Sequence, residues 1–155
     1  MEPKKIHVKK GEVLQKNGEL NSQAYRVISG LLRSYTIDEK GKEHVFMFAP
    51  ENWIIADSQP PDVPCDLFID ALEDSIVLVL PKDIKRERNA APLIKRIAVL
   101  QQRVIMLMSY SATRRYEHFL ETYPDIVQRV PQKMIASYLG ITPEALSSLK
   151  RKRLL

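Results

Sequence analysis

The residues best placed to do chemistry lie at the end of the chain. Residues 143–153 read Pro-Glu-Ala-Leu-Ser-Ser-Leu-Lys-Arg-Lys-Arg. At helical spacing, Pro143, Glu144, Ser147, Ser148 and Lys150 are expected on a polar outer face, and Lys150-Arg-Lys-Arg153 makes a basic end. A carboxylate can accept from a cytosine amino group, and hydroxyls can reach any base edge. Lysine and arginine neutralise phosphates, which fixes position without reading sequence. The chemistry on offer is therefore recognition of a polyanion, not bond making. The other reactive types are scattered. His7, His44 and His118 lie far apart, and Cys65 is the only cysteine. One thiol forms no internal disulfide, and no His/carboxylate cluster at ligand spacing points to a metal. No nucleophile–base pairing stands out, so an enzyme is not expected, including one built on a metal-holding cupin-like barrel. No cofactor is expected either.

Two short helices must hold that outer face. Pro131 suits a first helical position, where its missing N–H costs little. Met134, Ile135, Tyr138 and Leu139 give the first helix an apolar inner face, and Ala136 is small where two helices would cross. Gly140 can take a positive φ and stop the helix. Ile141 would plug the core between the helices. Thr142 is a good N-cap, followed by Pro143 at the first helical position and Glu144 in the first turn. Leu146 and Leu149 bury the inner face of the second helix. Two helices joined by a short glycine-containing turn form a helix-turn-helix. Read that way, Pro143, Glu144, Ser147 and Ser148 face base edges, while Lys133, Thr142, Lys150, Arg151 and Arg153 contact phosphate.

The charge distribution agrees. Residues 1–80 carry 9 Lys/Arg against 13 Asp/Glu, a net −4, and residues 81–155 carry 15 against 6, a net +9. Such asymmetry points to a polyanion partner for the basic half, and the helix-turn-helix pattern makes that partner double-stranded DNA. The 155 residues are 45% hydrophobic and 28% charged, ordinary for a globular chain. No apolar run approaches the ~20 residues of a membrane span. The N-terminus has basic residues without an apolar stretch behind them, so no secretory signal and a cytoplasmic location are expected.

Upstream, the first eighty residues read as strands. Lys10-Gly11, Asn17-Gly18 and Asp38-Glu-Lys-Gly41 are turn signals, and Ala24 to Tyr35 reads as a strand pair about Ser29-Gly30. Val45–Phe48, Trp53–Ile55, Leu67–Ile69 and Ile76–Leu80 complete a β-sandwich or barrel, with a proline-rich loop over Ser58–Pro64. Pro81-Lys-Asp83 can open a short helix. Ala90 to Arg115 then reads as one long helix. Its Ile94, Ile97, Gln101, Val104 and Met108 match a heptad seam, which predicts a homodimer. A further helix is expected over Tyr116–Tyr123, then a helical turn over Asp125–Val130.

A strand-rich first half, a long helix and a terminal helix-turn-helix together resemble the Crp/Fnr family of bacterial transcription regulators. The resemblance is carried by Lys10-Gly-Glu-Val-Leu, by Tyr25-Arg-Val-Ile-Ser-Gly-Leu-Leu-Arg-Ser-Tyr, by Ala71-Leu-Glu-Asp-Ser, and above all by residues 123–148. The last stretch is similar to the branch found in Bacteroidetes. It implies an α+β chain: a jelly-roll β-barrel of the cyclic-nucleotide-binding type over residues 1–88, a dimerisation helix over 89–115, and a winged-helix-like DNA-binding domain over 116–155, with RNA polymerase as a further partner. In family members that bind cyclic AMP, a Gly-Glu pair and an Arg-Ser or Arg-Thr pair hold the nucleotide. Aligned on Pro50 and Ala71, this chain has Ala56-Asp57 and Cys65-Asp66 there. A carboxylate beside a phosphate repels it, and no Lys or Arg stands between Glu43 and Pro81. These residues are therefore not expected to bind cyclic AMP in the family's manner. Three other departures are expected. The family's N-terminal helices and the wing after the second helix are absent, and Ser148 replaces a commonly found arginine.

Overall fold

The computed structural model describes residues 3–82 and 91–153. The chain divides into two compact units, Met1–Ile84 and Lys85–Leu155. The expected boundary at residues 88/89, and Asp83 of the short helix expected to open at Pro81, lie outside the described residues.

Among the described residues the first unit holds eight strands: β1 (Lys4–Val8), β2 (Val13–Gln15), β3 (Ala24–Ser29), β4 (Leu32–Ile37), β5 (Glu43–Ala49), β6 (Ile54–Ala56), β7 (Phe68–Ala71) and β8 (Ser75–Leu80). They form two four-stranded antiparallel sheets, ordered β1-β8-β3-β6 and β2-β7-β4-β5. Both sheets contribute to one apolar core, with Val27, Ile55 and Val77 from the first and Leu32, Ala49 and Ile69 from the second. Strand alternation sets the inward residues: along β3, Tyr25 and Val27 are buried while Arg26 and Ile28 are exposed. This is the jelly roll expected from the sequence.

The strand pair expected over Ala24–Tyr35 is corrected. β3 and β4 are consecutive, but they belong to different sheets. β3 pairs with β8 and β6, and β4 with β7 and β5. The physical reason is Gly30. It takes φ +93°, and its backbone packs so closely on the start of β8 that an added Cβ would lie 2.3 Å from Ser75 Oγ. The chain turns a corner there instead of a hairpin. The Asp38–Lys42 turn is a true hairpin. Asp38 N–H donates to the Lys42 carbonyl at 3.0 Å, and Asp38 Oδ1 accepts from the Lys40 and Lys42 amides. Beside it, the buried Arg33 grips Asp70 through Nε and Nη2, each at 2.9 Å, and Glu43 through Nη1 at 2.6 Å. A buried guanidinium is tolerable only with its charge and donors so matched.

The second unit holds α1 (Ala91–Ser109), α2 (Ala112–Thr122), α3 (Gln132–Leu139) and α4 (Pro143–Arg153). The single helix expected from Ala90 to Arg115 is broken near Tyr110. Ser111 adopts φ −62°, ψ 160° and caps a new helix, its Oγ accepting from Arg114 N–H at 3.3 Å. A serine that bonds the local backbone competes with helix continuation. The helix expected at Tyr116 therefore starts earlier, at Ala112. Among the described residues no helix is long and apolar enough to cross a membrane.

Candidate nucleic-acid interface

α4 begins at Pro143, as the sequence implied, but the position expected for Pro131 is corrected: its ψ of 139° leaves it extended, as the N-cap before α3, and Gln132 takes the first helical position. The Pro131 carbonyl accepts from Met134 and Ile135, which opens α3. Ile135, Ala136, Tyr138 and Leu139 are buried, and Met134 is half-buried. Gly140 closes α3 at φ 65°, ψ 34°, and Ile141 N–H returns to the Ala136 carbonyl at 3.0 Å. Ile141 is half-buried. Thr142 caps α4: its Oγ1 accepts from Ala145 N–H at 3.2 Å. Leu146 is fully buried and Leu149 half-buried, so α4 is pinned by one side.

The opposite side is open. Thr142, Pro143, Glu144, Ser147 and Arg151 are exposed, Ser148 and Lys150 are half-buried, and Lys133 is exposed on α3. The side chain of Arg153 lies outside the described residues. Glu144, Ser147, Ser148 and Arg151 stand at i, i+3, i+4 and i+7, so they form one stripe along α4. Lys150 is off that stripe. Arg151 Nη2 donates to Ser148 Oγ at 3.4 Å.

Two arginines that sequence reasoning passed over hold this arrangement from behind. Arg103 lies 3.8 Å above the Tyr138 ring, and its Nη2 donates to the Tyr138 carbonyl at 3.2 Å. Arg115 donates to the carbonyls of Leu107, Tyr110 and Leu139. Tyr138 also packs against Phe119 and Tyr123, with ring centroids 5.4 and 5.6 Å away. Neither arginine has a sequence signal beyond a cation amid apolar helical residues. On α1, Ile94, Ile97, Gln101, Val104 and Met108 are all exposed, Met108 at 81%.

The other expected site lies in the barrel. Ala56 is half-buried at the end of β6. Asp57 is buried, and its carboxylate is fully engaged by the backbone: Oδ1 accepts from Gln59 at 2.7 Å, and Oδ2 from Asp66 and Leu67 at 2.9 Å each. The Cys65 thiol is buried and donates to the Lys16 carbonyl at 2.9 Å. Asp66 is exposed and accepts from Gln59 Nε2 at 2.6 Å. Thus Asp57, Cys65 and Asp66 do meet in one loop. A cation that the sequence seemed to withhold also arrives: Lys82, just beyond β8, donates to Ser22 Oγ at 2.7 Å and to the Gln59 carbonyl at 3.0 Å. Burial pushes its pKa down, against the opposing pull of Asp57. Among the described residues no group of His, Cys, Asp and Glu can hold a metal ion.

Comparison with known proteins places these features in a lineage. Residues 5–87 match the cyclic nucleotide-binding domain. The anaerobic regulatory protein of Pasteurella multocida is 26% identical over 94% of this chain, and that of Haemophilus influenzae 29% identical over 94%. The chain spans 61% and 65% of those proteins' lengths. Among solved structures, FixK2 from Bradyrhizobium japonicum superposes with a TM-score of 0.84 at 18% identity, covering 98% of this chain and 84% of FixK2. A Crp/Fnr-family transcriptional regulator from Thermus thermophilus gives 0.72 at 19% identity, covering 94% of this chain and 83% of that one.

Proposed function

The chain belongs to the cyclic nucleotide-binding domain family, whose Crp/Fnr members are transcription regulators and not enzymes, and from that premise we propose that it is a homodimeric, DNA-binding transcription regulator. One observation carries this reading: the stripe of exposed Glu144, Ser147 and Arg151 with half-buried Ser148 on α4, presented by the turn at Gly140–Thr142 and ending in a basic run. In this reading α3, the turn and α4 form a helix-turn-helix, and α4 enters the major groove. Lys133, Thr142, Lys150 and Arg153 meet phosphate. The Bacteroidetes-like residues 123–148 supply most of the motif, and RNA polymerase contact belongs to an activator form of the same reading.

The dimer is supported by α1. Ile94, Ile97, Val104 and Met108 expose 53–81% of their surface on one face, with Gln101 between them. A second copy of the same face covers it in a heptad seam. The barrel, in this reading, does not take cyclic AMP in the family's manner. Its loop residues do not fit a cyclic phosphate: the Asp57 carboxylate already fills the amides of Gln59, Asp66 and Leu67, Asp66 adds a second negative charge, and Lys82 is committed to Ser22 and Gln59.

Selection of bound duplexes from a random DNA pool with the full chain tests the proposal. The expected result is a two-fold symmetric site, its half-sites about one helical turn apart. Binding that shows a steep salt dependence and no preferred sequence would defeat it. Such an outcome would favour a second reading, suggested by a serine at position 148: a sensor or protein-interaction module that has lost base recognition.

A further inference from the structure

We infer that Arg151 is a base-reading residue of α4, aimed by Ser148, and not merely a phosphate contact. The inference rests on reading α4 as the recognition helix. Side chains on a helix lean toward its N-terminus, so a residue covers the turn before its own Cα. Arg151 does this: its Nη2 reaches Ser148 Oγ, one turn back. The guanidinium therefore lies over position 148 while its backbone stays at 151. Ser148 engages one of the five guanidinium N–H groups, and a guanine edge needs two.

Three further observations favour base over phosphate. Arg151 completes the stripe begun by Glu144, Ser147 and Ser148, at i, i+3, i+4 and i+7. A homeodomain's recognition helix reads the major groove at the same spacing. Lys150 and Lys152 lie off the stripe on either side, where they can take the flanking phosphates. Finally, Leu146 is fully buried behind the stripe, so α4 presents it on a fixed backbone. A planar fork held in this way matches O6 and N7 of a guanine, and a lysine does not reproduce it.

The test uses the full chain, its selected duplex and single-base variants of that duplex, read by fluorescence titration. Arg151→Lys keeps the charge. It should cost preference for guanine at one position of each half-site by roughly tenfold or more, leaving the other positions and the salt dependence unchanged. Ser148→Ala should weaken the same preference at that position, since the guanidinium then loses the hydroxyl that aims it. Arg151 is exposed, so thermal melts of the variants should match the parent. If Arg151→Ala weakens every duplex alike and lowers the salt slope by about one, the residue is a phosphate contact and the inference fails. A selected site indifferent to Arg151→Lys overturns the role of Arg151 alone. A parent protein that selects no site overturns the recognition reading and this role together.

Discussion

Arg115 Nη1 donates to the Leu139 main-chain carbonyl at 3.1 Å, while Nη2 and Nε of the same guanidinium take the carbonyls of Leu107 at 2.6 Å and Tyr110 at 3.0 Å. Leu139 and Leu107 lie in the last turns of α3 and α1, where carbonyls lack a partner inside their own helix, and Tyr110 directly follows α1. A cation at a helix C-terminus also meets the negative end of its dipole. Arg115→Met should lower the stability of the helical unit by about 2–3 kcal/mol, as charge-assisted bonds to backbone are lost. Arg115→Lys should recover only part, because a compact ammonium lacks the planar fork. Urea unfolding followed by circular dichroism checks both.

Gly140→Ala should cost about 1–2 kcal/mol, because the native φ of 65° is left-handed. The new methyl would meet Arg115 Nη1 and Leu107 Cδ2 at 3.5 Å, an ordinary contact, so the cost is backbone strain and not a clash. Gly140→Asn should cost less, since asparagine visits this region more readily. Paired thermal melts of the two variants give the order.

Asp57→Ala removes the acceptor of three backbone amides in the loop from Asp57 to Leu67. Buried donors left without partners cost about 1–3 kcal/mol each, and water entering the loop recovers some of it. A loss of about 3 kcal/mol in barrel stability is expected, together with faster proteolysis between Ser58 and Pro64. In the parent protein, calorimetry with cyclic AMP should give no saturable heat.

Tyr25 is buried in the first sheet, its hydroxyl donating to the Leu14 carbonyl at 3.2 Å. Burial raises its pKa, and the charges of Glu19 and Cys65 raise it further. The folded state thus holds the phenol neutral where the unfolded chain would ionise it. Its contribution to stability is complete below the ordinary tyrosine value near 10, and fades as pH rises through the higher folded value. Tyr25→Phe should flatten the alkaline limb of a pH series of urea midpoints.

Val104→Glu should convert a dimer into a monomer in sedimentation experiments, because like charges would face each other across the seam on α1. Gln101→Leu should tighten the dimer. Neither change should affect the barrel's own unfolding.

How much of this was legible in the sequence depends on the range of the interaction. Asp38–Gly41 and Gly140–Thr142–Pro143 are local codes, in which turn and cap chemistry sit within a few residues of what they control. Both were read correctly. The stripe on α4 follows from helical period alone. The partners of β3 and β4 were not legible, since alternation says which side faces inward and not which strand lies alongside. Lys82, Arg115 and the Asp57 clasp act across up to 60 residues of chain on carbonyls, amides and a hydroxyl. Backbone groups are the same at every position, so their partners leave little trace in residue types. The break at Tyr110 hid for a different reason: a serine cap in mid-helix looks like any solvent-facing serine.

The strand order also sets a timetable. Among the described residues Lys4–Val8 pairs only with Ser75–Leu80, and Val13–Gln15 only with Phe68–Ala71. During synthesis these strands leave the ribosome before their partners and must wait for about fifty to seventy further residues to be made. The Asp38–Lys42 hairpin, whose strands are adjacent, can form long before. In the helical unit each turn closes over a few residues, and its longest bond named above, Arg103 to Tyr138, spans 35, so it has less to wait for once it emerges. The acidic half is therefore the slow half, and the interval before β8 appears is when its strand edges stand open to other chains.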